Sequence, residues 1–518
     1  MKKMVTVFAV SIFVLLSAAV QAQDTIPDKM SIQGSFGTVT MDGAQWQRFS
    51  FRPDIPIGNF GVGLDVELFI DEQGRISKEG WDFSTKSKTW DSILRKIYYV
   101  RYGKPLDKMY LRAGSLDNVT LGYGLIMDGY RNSLNYPAEK KIGLDFGLRD
   151  IGTFGLGVEG MVNSFGDLQN NGIVAGARVS ARPFKPYDIN ILSKLTFGIT
   201  FVRDVNQYAG LKDSDDDGYP DYQDGFSDDS DLWLDTDDDG ITDYIDSGGS
   251  RTFIDRDADG DGLTDPWYTD ELGINAIDGD VATEDIINIR KNRNGLSEFG
   301  MDVGFPLIEG PLNLDLYGQY AKIQTGDNDL EGGWGIGAPG LRLLTGGFKG
   351  QIEYRHSSGR FRPEYFDNLY DHERVVIVGD SLITKEMKLA DDVLDGFYGK
   401  AGYNFFDMFY AQAGYQYMTG NNVYRDVTGV AKLMDGILDS IPKITVLEAY
   451  FYNRFVDPDE YGLFEFTPNT LYGTRIGFSL TPGMSVVWNT RYTFAPNADR
   501  TGLEKQRFVS IETVITMK

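Results

Sequence analysis

Apolar and polar residues alternate with a period of two along most of this chain. In Ile142–Arg149, Ile142, Leu144, Phe146 and Leu148 form one face, and Gly143, Asp145, Gly147 and Arg149 the other. The same dyad recurs in Ser485–Phe494, where Val486, Trp488, Thr490, Tyr492 and Phe494 oppose Val487, Asn489, Arg491 and Thr493. It is present in Asn313–Lys322 and in Gly61–Ile70, where Leu64, Val66, Leu68 and Ile70 oppose Asp65 and Glu67. Successive side chains of a strand point to opposite faces, so this period predicts strands. Segments of about ten residues, apolar on one face and polar on the other, are the signature of strands that cross a membrane in a closed barrel. The expected fold is all-β, a transmembrane antiparallel barrel of about 18 strands (roughly 16–20). Gln45–Phe51 and Tyr461–Phe466 are its weakest candidate strands.

The connections alternate as well. Short links stand at Lys104–Lys108, Asp150–Gly152, Pro306–Pro311, Gly346–Gly347, Phe406–Met408 and Pro482–Gly483. Long ones span Asp71–Ser92, Leu116–Lys141, Val205–Gly295, Gly359–Asp395 and Thr419–Pro442. Short inner turns and long outer loops are expected of an outer-membrane barrel, which places the long segments outside. Tyr98, Tyr99, Tyr102, Tyr415, Tyr417, Tyr450 and Tyr452 cluster near strand ends, where interfacial girdles form. The last strand, Phe508–Met517, puts Val509, Ile511, Thr513, Ile515 and Met517 on one face. It resembles the closing strand of bacterial outer-membrane proteins, although it ends in Met517-Lys518 instead of an aromatic residue. The TonB-dependent transporters fit less well, because strands begin by about Met30, with no plug domain before them.

If the apolar face meets lipid, the polar face lines a lumen. Its basic members include Arg101, Arg149, Arg178, Arg355, Arg454 and Arg491, and its acidic members Asp65, Glu67, Asp145, Glu159, Asp315 and Glu353. Two readings stay open: a wet pore with a slight anion preference, or a ladder of structural ion pairs. Val119–Asn135 is too apolar and glycine-rich for a solvated outer loop, so it is expected to fold inward or to cover a strand.

One segment breaks the pattern. D-x-D-x-D-G-x-x-D occurs three times, at Asp213–Asp221, Asp235–Asp243 and Asp257–Asp265, with Gly218, Gly240 and Gly262 each 22 residues apart. Between Asp213 and Asp265 stand 20 Asp against two Arg, a net −18 in a chain of net −26. Carboxylates at that density repel one another unless a hard cation is present. Calcium takes six to eight oxygen ligands, and Asp at loop positions 1, 3 and 5 followed by Gly at 6 supplies that geometry. The candidate ligands are Asp213, Asp215, Asp217, Asp221 and Asp224 in the first repeat; Asp235, Asp237, Asp239, Asp243 and Asp246 in the second; and Asp257, Asp259, Asp261 and Asp265 in the third, whose twelfth position is Tyr268. The array resembles thrombospondin type 3 repeats, without their cysteines. That resemblance implies a calcium-filled, core-poor segment, with Ca2+ as the bound ion.

The ends and the composition complete the picture. Met1–Ala22 has the basic start, apolar run and small-residue end of a secretory signal peptide. The chain then divides into a first barrel part at 23–204, the insertion at 205–295 and a second barrel part at 296–518. With no cysteine there are no disulfides and no thiolate sites. The two histidines, His356 and His372, stand near no G-x-S-x-G, H-E-x-x-H or phosphate loop. Ser357 and Ser358 beside His356 do not make a motif, and the protein is expected not to be an enzyme. The sequence therefore predicts an outer-membrane, porin-like channel for small solutes with a calcium-stabilised extracellular loop. Its partners would be lipid, calcium and solute, and not nucleic acid. A homo-oligomer and a surface partner through the acidic loop stay open. The rival functions are a surface adhesion or structural protein anchored by the barrel, and a specific transporter of a hydrophobic or oligomeric substrate.

Overall fold

The computed structural model describes residues 30–255 and 287–517, except 42, 79, 85, 106, 138, 169–170, 188, 190, 228, 236–238, 248–249, 327–328, 379–380, 407, 435–442 and 497–502. The expected signal peptide and the third acidic repeat lie outside the described residues.

One antiparallel sheet of 21 segments closes on itself. Phe60–Leu64 and Val66–Ile70 are halves of one strand interrupted at Asp65, so the barrel has 20 strands among the described residues. Each strand pairs with its neighbours in sequence. The first, Ser31–Met41, closes the ring against the last, Leu503–Met517, from Ile32↔Met517 to Thr40↔Val509. Closure leaves no unpaired edge, which a lipid environment demands of backbone N–H and C=O groups. The first strand starts and the last finishes at the same end of the barrel, as an even strand number requires.

The dyad pattern is visible in exposure. Along Thr196–Asp204, Phe197, Ile199 and Phe201 are exposed while Gly198, Thr200, Val202 and Asp204 are buried. Along Leu296–Ile308, Phe299, Met301 and Val303 are exposed while Glu298, Gly300 and Asp302 are buried. An apolar outer wall around a polar lining is the inverse of a soluble protein, and lipid is the solvent that suits it.

Two expectations are corrected. Thr419–Pro442 is not one outer loop, because Val423–Leu433 is a barrel strand within it, paired residue for residue with Phe409–Thr419. Arg425, Gly429 and Ala431 interrupt Val423, Val427 and Leu433 on one face, and Tyr424 and Val430 stand among Asp426, Thr428 and Lys432 on the other, which blurs the alternation of that strand. Tyr461–Phe466 is not a strand: it belongs to the connection 457–469, which lays Phe464 against Phe451 and Phe466 against Tyr472. The strand count, 20, lies within the expected 16–20, and Gln45–Phe51, one of the weak candidates, sits within the full strand Ala44–Ile57.

The lining is not polar throughout. On the wall near the long loops, Met161, Val174, Val202, Leu296, Ala321 and Ile323 are fully buried. They pack against residues of 115–141 and 360–391, two long connections that fold into the lumen.

Candidate functional sites: a filled lumen and an acidic insertion

The first inward connection carries Leu116, Val119, Leu121, Leu125, Ile126, Met127 and Tyr130 into the lumen, and the second carries Phe361, Tyr365, Phe366, Tyr370 and Leu389. Backbone bonds join the two, Glu364 N–H to Leu125 O at 2.7 Å and Phe366 N–H to Ile126 O at 3.1 Å. The expected inward folding of Val119–Asn135 is therefore seen, and the partnership with 360–391 is new. Wall glycines make room for this filling. A Cβ on Gly176 would meet Leu121, one on Gly300 would meet Ile126, and one on Gly335 would lie 2.3 Å from the Phe361 ring.

Ion pairs fasten the filling to the wall. Arg355, fully buried, bonds Glu353 at 2.5 Å and Glu364 at 2.9 Å. Arg454 bonds Glu364 at 2.8 Å, and Lys400 bonds Asp128 at 2.8 Å. Asp65, at the break in its strand, meets Arg52 at 2.9 Å and Lys140 at 3.2 Å, and accepts from the Tyr136 hydroxyl. Burial alone would push the Glu364 carboxyl up, but Arg355 and Arg454 outweigh it and hold it down at about 2. Further along the wall, Arg178 pairs with Asp302 at 2.7 Å, Arg149 with Glu159 at 2.8 Å and Arg342 with Asp315 at 2.9 Å. Many of the lining charges are thus held in ion pairs, across strands or to the inward loops, whereas Arg101 and Arg491 bond backbone oxygens. Between filling and wall lies a polar cavity of about 50 Å³ lined by Asp128, Glu364, Asn368, Lys400, Gln416 and Arg454 among others.

The acidic insertion leaves the wall after Asp204. In its first repeat, Asp213, Asp215 and Asp217 each present a carboxylate oxygen, all within 4.8 Å of one another. The turn is built by the motif itself. Asp213 accepts from the N–H of Asp217 at 3.2 Å and of Gly218 at 2.9 Å, and Asp217 accepts from Tyr219 N–H at 2.6 Å. Gly218, at φ +103°, takes a conformation closed to most residues. The second repeat reproduces these bonds 22 residues on. Asp235 accepts from Asp239 at 3.1 Å and Gly240 at 2.9 Å, and Asp239 from Ile241 at 2.7 Å. Between the repeats the Tyr219 and Trp233 rings stack at 3.9 Å.

The structure sorts the predicted ligands. Asp215 and Asp224 are buried, and each keeps one carboxylate oxygen with no hydrogen-bond partner. Burial, then repulsion from Asp216 and Asp217, pushes the Asp213 carboxyl up to about 7. Burial, then Asp215 and Asp224, does the same to Asp217, also to about 7. Asp221 instead braces the start of the loop, accepting from Ser214 N–H at 2.7 Å and Ser214 Oγ at 2.8 Å. Asp243 is buried, and its carbonyl accepts from Ile254 N–H at 2.9 Å. Asp246 lies in the short strand Tyr244–Ser247. Asp237, Asp257, Asp259, Asp261 and Asp265 lie outside the described residues. The first repeat thus combines converging hard oxygens, unpartnered buried lone pairs and mutual repulsion, a set that fits a hard divalent cation.

No family model and no curated protein matches this chain. Among solved structures it is similar to the FrpB iron transporter of Neisseria meningitidis, at 9% identity over 95% of this chain and 82% of that one, with a TM-score of 0.35. OpdQ of Pseudomonas aeruginosa aligns at 8% identity over 94% and 96%, TM-score 0.28. Wzi of Escherichia coli, an outer-membrane protein involved in group 1 capsule assembly and a carbohydrate-binding β-barrel, aligns at 13% over 94% and 84%, TM-score 0.29. These likenesses carry no activity across. The class of the protein, a closed barrel of the outer-membrane type, rests on its own ring of pairings and its apolar outer wall.

Proposed function

We propose that this protein is an outer-membrane channel of porin type for small polar solutes, narrowed by its own loops, with an extracellular insertion held in shape by calcium. The observation that carries the reading is the charged lining with two loops folded into it. A 20-stranded ring encloses far more space than side chains alone can fill, and on this reading the inward loops narrow that space to a polar, ion-paired passage. Solutes crossing it would exchange water for the fixed charges of Glu364, Arg454, Lys400 and Asp128. In the insertion, Asp213, Asp215 and Asp217, with Asp224 beside them, supply the calcium ligands of the first repeat. Occupancy would relieve the repulsion that raises Asp213 and Asp217. The extent of packing in the lumen favours a second reading, a barrel that serves mainly as an anchor for a surface segment.

Single-channel conductance of the refolded protein in planar bilayers, in calcium and then in chelator, separates the two. Steady conductance supports the channel, and a change on chelation ties the insertion to the passage. Silence in both conditions overturns the channel and leaves the anchor.

A further inference from the structure

The sheet register brings Asp395 on the outer wall to His356 and Ser358, which share one strand face and lie 39 and 37 residues before it. In the strand Phe348–Gly359, the outward residues are Ile352, Tyr354, His356 and Ser358, while Arg355 and Ser357 are fully buried on the inner side. The next strand, Asp392–Phe405, places Asp395 opposite His356 and Val393 opposite Ser358. His356 Nδ1 and Asp395 Oδ1 are 2.8 Å apart. The Tyr354 hydroxyl donates to the same carboxylate oxygen, and the Trp334 ring lies 5.1 Å from the imidazole. The surroundings are apolar and open: Ile352, Val393 and Phe397 are each more than half exposed.

The geometry points to a hydrolase triad, with Ser358 as nucleophile, His356 as general base and Asp395 as its positioning residue, acting on the carboxylic ester of a lipid in the adjoining leaflet. A carboxylate at Nδ1 fixes the tautomer that carries a proton there and leaves Nε2 free to accept one. Ser358 is two positions along the same face, roughly 7 Å on at the Cα, within the combined reach of an imidazole and a hydroxyl. The pair sits at the loop end of its strand among Tyr320, Trp334, Tyr354 and Tyr417, the level of an interfacial girdle, where the ester groups of a bilayer lie. The order of roles, acid to imidazole to hydroxyl, is recognised by geometry, and no sequence motif is needed.

The reaction balances with water as the one co-reactant. Ser358 Oγ attacks the ester carbonyl carbon and its proton passes to His356 Nε2. The ester C–O bond breaks, and the leaving alcohol takes that proton. Water then attacks the acyl-serine, giving a proton to Nε2 that returns to Ser358 Oγ as the free fatty acid leaves. No group is oxidised or reduced. This activity is independent of conductance, so the failure of either leaves the other standing.

The test uses the full refolded chain in mixed detergent–phospholipid micelles. Two readouts are taken: fatty acid release from a diacyl glycerophospholipid, and labelling by a fluorophosphonate mapped by mass spectrometry. A soluble short-chain nitrophenyl ester runs in parallel to separate lipid from general esterase chemistry. The expected result is label on Ser358 and lipid hydrolysis. Ser358→Ala should abolish both, and His356→Ala should lower hydrolysis by at least about 10³-fold. Asp395→Asn should lower the rate and displace its pH profile. Ser357→Ala, on the buried face, should change neither readout. Label elsewhere, or no hydrolysis of either ester by a barrel shown to be folded by its circular dichroism, overturns the proposal.

Discussion

Asp204 and Arg374, 170 residues apart and both fully buried, meet in a two-point ion pair: Nε to Oδ2 at 2.6 Å and Nη2 to Oδ1 at 2.7 Å. Asp204 is the last residue of the strand from which the acidic insertion departs, and Arg374 follows the short helix Tyr370–Glu373 of the inward loop. The same guanidinium donates to Asn206 O and Gly172 O, and the Tyr370 hydroxyl donates to Asp204. One arginine therefore fastens the lumen filling to the root of the insertion. Removing one partner of a buried pair leaves the other charge uncompensated, at a cost of about 3–5 kcal/mol. Arg374→Ala should lower the thermal midpoint of the refolded barrel and raise protease cleavage within 360–391. Unchanged cleavage would show that the loop is held by its apolar contacts alone.

Acid should loosen the filling. Glu364 is held at about 2 by Arg355 and Arg454, against an ordinary value of 4.5. A depressed carboxyl stabilises the docked loop fully above its free value, and that stability is lost as pH falls through the window from 4.5 toward 2. Protease accessibility of 360–391, or conductance, is expected to rise across that window. Glu364→Gln should raise it already at neutral pH, where Arg355 and Arg454 lose their shared partner, and should flatten the acid step. An acid step that persists unaltered in the variant would assign it to another group.

Calcium should protect the insertion from proteolysis, with a midpoint in the range of about 10⁻⁴–10⁻³ M typical of extracellular sites. Asp213→Asn combined with Asp217→Asn should weaken that protection by about tenfold or more, because fewer charged ligands converge on the ion. Asp221→Asn should act differently. Its carboxylate is bonded to Ser214, so the loop should weaken equally with and without calcium. Equal calcium midpoints for the wild type and the Asp213/Asp217 variant would remove these residues from the ligand set.

Gly335 is a seat for the filling. An added Cβ would lie 2.3 Å from the Phe361 ring, too close for any relaxed contact. Gly335→Val should leave the strand paired, since Val favours strands, yet displace Phe361 and enlarge the passage. An increase in conductance with intact barrel circular dichroism is the expected outcome. Unchanged conductance would mean that solute does not pass Phe361.

The barrel and the turn chemistry of the insertion are legible in the chain alone, because both are local. A period-two pattern needs only neighbouring residues to declare which face is apolar, and D-x-D-x-D-G closes its own turn through Asp213, Asp217 and Gly218. Where the lipid-side positions are polar or small, as at Arg425, Gly429 and Ala431, the pattern fades, and the strand Val423–Leu433 is hidden for that reason. The apolar character of Val119–Asn135 betrays its inward path, but nothing local announces that 360–391 joins it. That pairing, the Asp204–Arg374 clasp and the approach of Asp395 to His356 exist only once the ring has closed. The two side-chain pairs join residues 170 and 39 positions apart. Sheet register brings Asp395 to His356, and the inward path of 360–391 brings Arg374 to Asp204.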